Sequence, residues 1–128
     1  MRILQAGCAV DGKVYISGGQ QVKYDENCYD DLFDIVLKGD EAYTKLIRPI
    51  GARPPGRYSH VITPLATAYL VLIGGEGQAS DQEEENKEQE GPTVALSDVW
   101  LFDRMRLNWL KVEPRNPIFK PRSSFTCE

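Results

Sequence analysis

The stretch Pro54–Gly75 reads PPGRYSHVITPLATAYLVLIGG and predicts two β-strands separated by a turn. Its two prolines and following glycine favour a stiff, extended approach to a sharp bend. We expect a first strand over Arg57–Ile62, a turn over Pro64–Thr67 and a second strand over Tyr69–Ile73. The second strand is an unbroken apolar run, which is typical of a strand buried on both faces. A pair of glycines then ends it, where the chain must turn hard or a neighbour must pack closely.

The same order of features occurs earlier in the chain. Two strands over Ile3–Val10 and Lys13–Ser17 lead into the pair Gly18-Gly19. In both copies a polar loop follows, and after it an aspartate-aromatic strand and a final aromatic-led strand. We expect these two strands over Asp30–Leu37 and Tyr43–Ile47 in the first copy, and over Leu96–Asp103 and Asn108–Val112 in the second. A third copy begins over Lys120–Phe125. Repetition at a period of tens of residues indicates a solenoid, a propeller or an array.

These repeats resemble the kelch family. The second copy matches the family's motif almost throughout, at Arg57, Ser59, His60, Gly74, Gly75, Asp98, Trp100 and Trp109. The first copy matches at Gly18, Gly19, Asp31, Phe33 and Tyr43 but lacks an Arg/Ser/His sequence at its start. The resemblance covers nearly the whole chain outside two polar loops. It implies an all-β fold in which four-stranded antiparallel kelch-type blades form part of a β-propeller.

The repeats divide the chain into three predicted segments. Residues 1–52 form kelch blade 1, residues 53–114 form kelch blade 2 with an acidic insertion at 76–95, and residues 115–128 form the first strand of an incomplete blade 3. Closed propellers have about four to eight blades. We therefore expect the propeller to be completed either by further blades of a longer chain or by oligomerisation, for which three copies would suffice.

The acidic insertion is the most unusual segment of the sequence. Between Glu76 and Gly91 it contains seven acidic residues and a single base, Lys87. It has almost nothing apolar to bury, and we expect it to be disordered. It is either a tolerated surface loop or a segment that competes with acidic ligands for Arg57 and Arg122.

Composition narrows the class of protein. The chain has 128 residues, 41% hydrophobic and 27% charged, and a formal net charge of −4, as expected of a soluble globular protein. No apolar run in the sequence is long enough to cross a membrane, and the residues after Met1 resemble a strand rather than a signal peptide. We therefore expect no signal peptide, a cytoplasmic location and no membrane partners. The negative charge argues against nucleic acid. Three widely spaced cysteines fit free thiols.

The resemblance also implies where a partner binds. In kelch proteins the loop face around the channel commonly binds peptides, and the arginines at the start of the innermost strands read acidic side chains. The candidate partner-binding residues are Arg57 with Ser59, Arg122 with Ser123, and Arg53. The planar guanidinium group suits bidentate capture of a carboxylate. The alternative is that these arginines brace the loops structurally.

The sequence offers little for catalysis. The chain has one histidine, and its cysteines lack metal-ligand spacing. We therefore predict no cofactor, no metal and no enzymatic activity of its own, and a protein–protein interaction scaffold as the function. The alternative is a regulatory or substrate-binding propeller part of a larger enzyme, such as an oxidase, lyase or phosphatase.

Overall fold

The computed structural model describes residues 2–21, 28–77 and 94–113 of the chain. Throughout these residues the regular secondary structure consists of β-strands. The strands are β1 (Arg2–Ile3), β2 (Ala6–Val10), β3 (Lys13–Ser17), β4 (Gln20–Gln21), β5 (Leu32–Lys38), β6 (Glu41–Ile47), β7 (Arg57–Tyr58), β8 (Val61–Leu65), β9 (Tyr69–Ile73), β10 (Glu76–Gly77), β11 (Val94–Ala95), β12 (Val99–Asp103) and β13 (Asn108–Val112).

Two four-stranded antiparallel sheets dominate the fold. The first sheet has the strand order β2-β3-β5-β6, and the second has the order β8-β9-β12-β13. Each sheet is a meander, because its four strands lie side by side in the order in which they occur along the chain. The prediction of an all-β fold with four-stranded antiparallel sheets is therefore confirmed, and the arrangement is consistent with part of a β-propeller. The segment limits at residues 52 and 114 stay predictions, and the incomplete blade 3 lies outside the described residues.

The core lies between the two sheets. Side chains of β9 and β12 alternate between half-buried and buried, as expected when one face of a sheet packs on a neighbour. Within it the rings of Phe102 and Trp109 lie 5.0 Å apart at 49°. Burying each large apolar side chain contributes roughly 1.5–3 kcal/mol to folding. The buried apolar residues are Ala6, Tyr15, Leu32 and Ile47 of the first sheet and Ile62, Leu70, Leu72, Trp100, Phe102 and Trp109 of the second.

The first strand of each repeat is broken, contrary to the sequence-based prediction. The single strands predicted over Ile3–Val10 and Arg57–Ile62 are interrupted at Leu4 and Ser59. Both residues have left-handed backbone conformations, with φ of 59° and 55°. A residue in this conformation leaves the extended strand geometry, so the chain changes direction there. The predicted turn is also displaced, because Pro64 lies within β8 and the turn occupies residues 66–68.

Two small sheets form where the strands break. Strand β1 pairs with β4, and β10 pairs with both β7 and β11. The second arrangement joins the two ends of the acidic insertion, since Glu76 lies opposite Ala95 and Gly77 opposite Val94. The insertion therefore leaves and re-enters the fold as a paired ribbon rather than as two separate loop ends. The predictions of disorder and of competition with acidic ligands concern residues 78–93, which lie outside the described residues.

Candidate functional site

The motif arginine of the second repeat lies inside the protein. The Arg57 side chain is only 1% exposed, and its two terminal nitrogens donate to the two carboxylate oxygens of Asp98 at 2.5 and 2.8 Å. Further hydrogen bonds run to the carbonyl oxygens of Gly74 (3.0 Å) and Pro55 (3.2 Å). This geometry is the bidentate fork that arginine makes with a carboxylate. Arg57 thus ties the start of β7 to the segments that flank β9 and β12.

Asp98 remains charged in this setting. Burial by itself would raise the pKa of Asp98, but hydrogen bonding and attraction to Arg57, with a hydrogen bond from Trp100, lower the pKa below its usual value. The indole nitrogen of Trp100 donates to Asp98 at 2.8 Å. A depressed carboxyl pKa stabilises the fold at neutral pH, and this contribution is lost only as the pH falls below about 4. The ion pair is therefore intact under physiological conditions.

The first repeat contains the same ion pair, which the motif comparison missed. The terminal nitrogens of Arg2 donate to Asp31 at 2.6 and 2.8 Å, and one of them also reaches the carbonyl oxygen of Gly18 at 3.3 Å. Arg2 precedes Gly18 by 16 residues, whereas Arg57 precedes Gly74 by 17. A turn one residue shorter between β2 and β3 explains the difference. Allowing that gap in the repeat alignment would have identified Arg2.

The structure places three of the five predicted partner-binding residues, Arg57, Ser59 and Arg53, in different surroundings. The contacts of Arg57 support the bracing alternative, because its guanidinium group is buried and already engaged with Asp98. Ser59 is half-buried at the break between β7 and β8, and Arg53 lies at the surface. Arg122 and Ser123 are outside the described residues, and their role stays a prediction.

A small cleft opens where the two sheets meet, beside the connection that joins them. We call it the junction cleft, and it is lined by Ser17, Tyr29, Asp30, Pro54, Pro55, Arg57, Leu72 and Trp109. At this cleft the side chain of Asp30, which is 42% exposed, pairs with Arg53, which is 54% exposed, at 3.1 Å. Exposed ion pairs are weak, because water competes with both groups. Arg53 is therefore solvent-accessible within its ion pair, whereas Arg57 is enclosed.

Hydrogen bonds cross the junction beside the cleft. The amide of Gly19 donates to the carbonyl of Arg57 at 2.8 Å, and the amide of Ser59 donates to the carbonyl of Leu4 at 3.0 Å. The imidazole Nε2 of His60 lies 3.2 Å from the hydroxyl of Ser17. The broken first strands thus serve to join one repeat to the next.

The buried position of His60 predicts a pH-dependent stability. Burial, together with repulsion from Arg57 and a smaller opposing effect of Asp98, lowers the pKa of His60 to about 3. In the unfolded chain the imidazole binds this proton near pH 6.5. Between pH 6.5 and about pH 3 the folded state therefore holds fewer protons than the unfolded state, so its stability falls as the pH falls. From pH 7 to pH 5 we expect the free energy of unfolding to drop by about 1–2 kcal/mol.

Urea unfolding of the full chain at pH 7, 6 and 5 measures this effect. His60→Gln is the matched control, because the amide can still hydrogen bond to Ser17 but carries no charge at any pH. The chain has one histidine, so the control should show little change over this range. An equal loss of stability in both proteins would contradict the assignment to His60.

The remaining candidates for reactive side chains are the cysteines and the possible metal ligands. Cys8 and Cys28 are half-buried. Cys127 lies outside the described residues, so the expectation of three free thiols stays a prediction. Burial raises the pKa of both thiols, with Arg104 partly opposing it at Cys8 and Glu76 adding to it at Cys28. Among the described residues, no three His, Cys, Asp or Glu side chains cluster as metal ligands. No helix in that part of the chain could span a membrane.

Comparison with known proteins gives a partial match. No family model matches the chain. Over 120 residues, or 92% of its length, the chain is 32% identical to Adagio-like protein 3 of Oryza sativa subsp. japonica. The chain spans 16% of that protein's length. The similarity therefore relates nearly all of this chain to one part of a much longer protein.

Proposed function

We propose that this chain acts as a protein-interaction scaffold, a kelch-type propeller segment that binds an acidic segment of a partner at the junction cleft. The observation that carries the proposal is the exposed Arg53–Asp30 ion pair at the cleft rim, 3.1 Å long. A partner carboxylate can take the place of Asp30 with little net loss, because an exposed pair contributes only about 0–1 kcal/mol. The buried Arg57, which lines the cleft, is held by its own ion pair with Asp98.

The chemistry of the cleft favours an extended peptide. The half-buried Pro55 adds a stiff apolar ring, and the half-buried Tyr29 adds an aromatic side chain next to Asp30. Rigid apolar walls beside one exchangeable cation suit a short segment that combines an acidic residue with an apolar one. Arg122 and Ser123 would extend this surface on the following repeat, as the sequence predicts.

Binding of a fluorescein-labelled hexaglutamate peptide, followed by fluorescence anisotropy at low and physiological salt, tests the site. Arg53→Gln should weaken binding two- to fivefold, since it removes one exposed charge contact. Asp30→Asn should strengthen binding by a similar factor, because it removes the internal competitor for Arg53. Both effects should shrink as salt rises.

The matched control is Arg106→Gln, which removes an exposed cation of the β12–β13 turn, whereas Arg53 pairs with the cleft residue Asp30. Its affinity should equal that of the unmodified chain. If Arg106→Gln weakens binding as much as Arg53→Gln, the peptide senses overall charge rather than the cleft, and the proposal fails. Absence of binding at low salt would also overturn it.

The alternative function, a regulatory or substrate-binding part of a larger enzyme, places the chemistry outside this segment. The same cleft would then hold a segment of that enzyme or of its substrate. The hexaglutamate experiment applies equally to it, because the recognition chemistry at Arg53 is shared.

A further inference from the structure

Each four-stranded sheet has a second face, which the other sheet does not cover. On the first sheet this open face carries apolar side chains that are half-buried or exposed, at Val14, Ile16, Phe33, Ile35 and Leu46. On the second sheet the open face carries Val71, Ile73, Val99, Leu101 and Leu110. Contiguous apolar surface of this kind indicates an interaction site.

The open face of the first sheet corresponds to the buried face of the second. In the first sheet Ile16 pairs with Phe33 and Val14 with Ile35 across neighbouring strands. In the second sheet the equivalent residues, counted along the sequence from the glycine pair and the motif aspartate, form the pairs Leu72 with Trp100 and Leu70 with Phe102. The latter four residues are all buried, in the core cluster that both sheets share. The open face of the first sheet therefore has the strand register of a face that already packs on a neighbour.

The reverse correspondence also holds. The first sheet packs on the second through a face that includes Tyr15, Ser17, Leu32 and Asp34, all of which are buried. The equivalent positions of the second sheet are Val71, Ile73, Val99 and Leu101, on its open face. At these four positions the second sheet has only apolar side chains, whereas the first sheet has the polar Ser17 and Asp34. The two open faces are thus complementary in the same way as the two faces that form the internal core.

The hydrogen bonds across the internal junction depend partly on main-chain atoms. The amide of Gly19 donates to the carbonyl of Arg57, and the amide of Ser59 donates to the carbonyl of Leu4. Main-chain donors and acceptors exist at the equivalent positions of the other repeat, where Gly75 corresponds to Gly19 and Arg2 to Arg57. Leu4 shares the left-handed conformation of Ser59. A second junction of this geometry therefore does not depend on matching side chains at these positions.

We propose that a second copy of this chain occupies these faces, with the open face of its second sheet packed on the open face of the first sheet of its neighbour. The contact is head to tail, because two different surfaces meet. Repetition closes into a ring of two to four copies, since closed propellers have about four to eight blades. This inference is independent of the peptide-binding proposal, because none of the open-face residues lines the junction cleft.

The test is light scattering of the full chain across a concentration series, with one variant blocked on each face. Val14→Lys places a charge on the open face of the first sheet, and Leu101→Lys does so on that of the second. Desolvating an unpaired lysine in an apolar contact is costly, so each variant should weaken self-association at least tenfold. Met105→Lys is the control, since Met105 is 85% exposed in a turn away from both faces.

Mixing the two variants gives the sharpest result. Each retains one intact face, so together they should form a complex of two chains that goes no further. The unmodified chain and Met105→Lys should give one discrete mass of two, three or four times 14.4 kDa. Circular dichroism verifies that the variants are folded, and Leu46→Lys with Leu110→Lys repeats the test at more exposed positions if the first pair unfolds.

Other outcomes overturn the proposal. A monomeric unmodified chain at all concentrations would show that another segment or another protein covers the faces. Self-association of either variant alone would indicate contact between identical faces instead. Folded variants that remain monomeric when mixed exclude the head-to-tail contact, and a broad mass distribution without a discrete species excludes the closed ring.

Discussion

Replacing Arg57 with methionine is expected to lower the free energy of unfolding by about 3–5 kcal/mol, the cost of removing one member of a buried ion pair. Asp98 would keep its hydrogen bond from Trp100 but lose both bonds from the guanidinium group. The carbonyl oxygens of Gly74 and Pro55 would lose a donor as well. Urea unfolding of the full chain at pH 7 measures the loss.

Arg2→Met is the matched control, because Arg2 forms the same bidentate pair in a wetter setting. The side chains of Arg2 and Asp31 are 24% and 21% exposed, against 1% and 17% for Arg57 and Asp98. We expect Arg2→Met to cost only about 1–2 kcal/mol, since water can solvate the remaining carboxylate. Equal losses in the two variants would refute the claim that burial makes Arg57 the stronger brace.

The second large effect is expected at Gly18, where the two repeats approach closely. A Cβ atom at Gly18 would lie 2.5 Å from the carbonyl oxygen of Arg57 and 2.7 Å from the imidazole Cε1 of His60. Gly18 also has a φ of +64°, which disfavours any other residue. Gly18→Ala therefore combines backbone strain with a clash across the junction, and should lower the free energy of unfolding by about 2–5 kcal/mol.

Gly39→Ala separates the two contributions. Gly39 has a φ of +63°, almost the value at Gly18, but a Cβ atom there would meet nothing within 4 Å. This variant should therefore show the backbone strain alone, about 1–2 kcal/mol. The comparison uses the same urea unfolding measurement. A loss at Gly39 as large as that at Gly18 would mean that steric contact between the repeats contributes nothing.

The repeat pattern carried most of the information about the fold. The unbroken apolar run of β9, the glycine pair of each repeat and the aspartate-aromatic strand that follows were enough to predict two four-stranded antiparallel sheets. The breaks at Leu4 and Ser59 were not predictable, because neither residue type favours a left-handed backbone. Those conformations are maintained by contacts between the repeats, such as the bond from the Ser59 amide to Leu4.

The candidate site was predicted only in part. The motif placed Arg57 and Arg53 at the junction of the repeats, but it assigned them the same role. The tertiary structure distinguishes them by burial, since Arg57 is enclosed with Asp98 while Arg53 meets Asp30 at the surface. Asp98 lies 41 residues from Arg57 along the chain, so no local pattern reveals the pairing.

By itself the sequence determined the class of fold, because the strand period and the turn residues are local properties that each repeat carries in full. It also determined that one copy of the repeat must pack on another, since the apolar strands have too much surface for a single sheet to bury. Only the tertiary structure decided which face of each sheet is buried and which stays open. It also decided which arginine is buried with a carboxylate and which lies at the surface. These distinctions depend on the surroundings of each side chain, which segments distant in the sequence supply together.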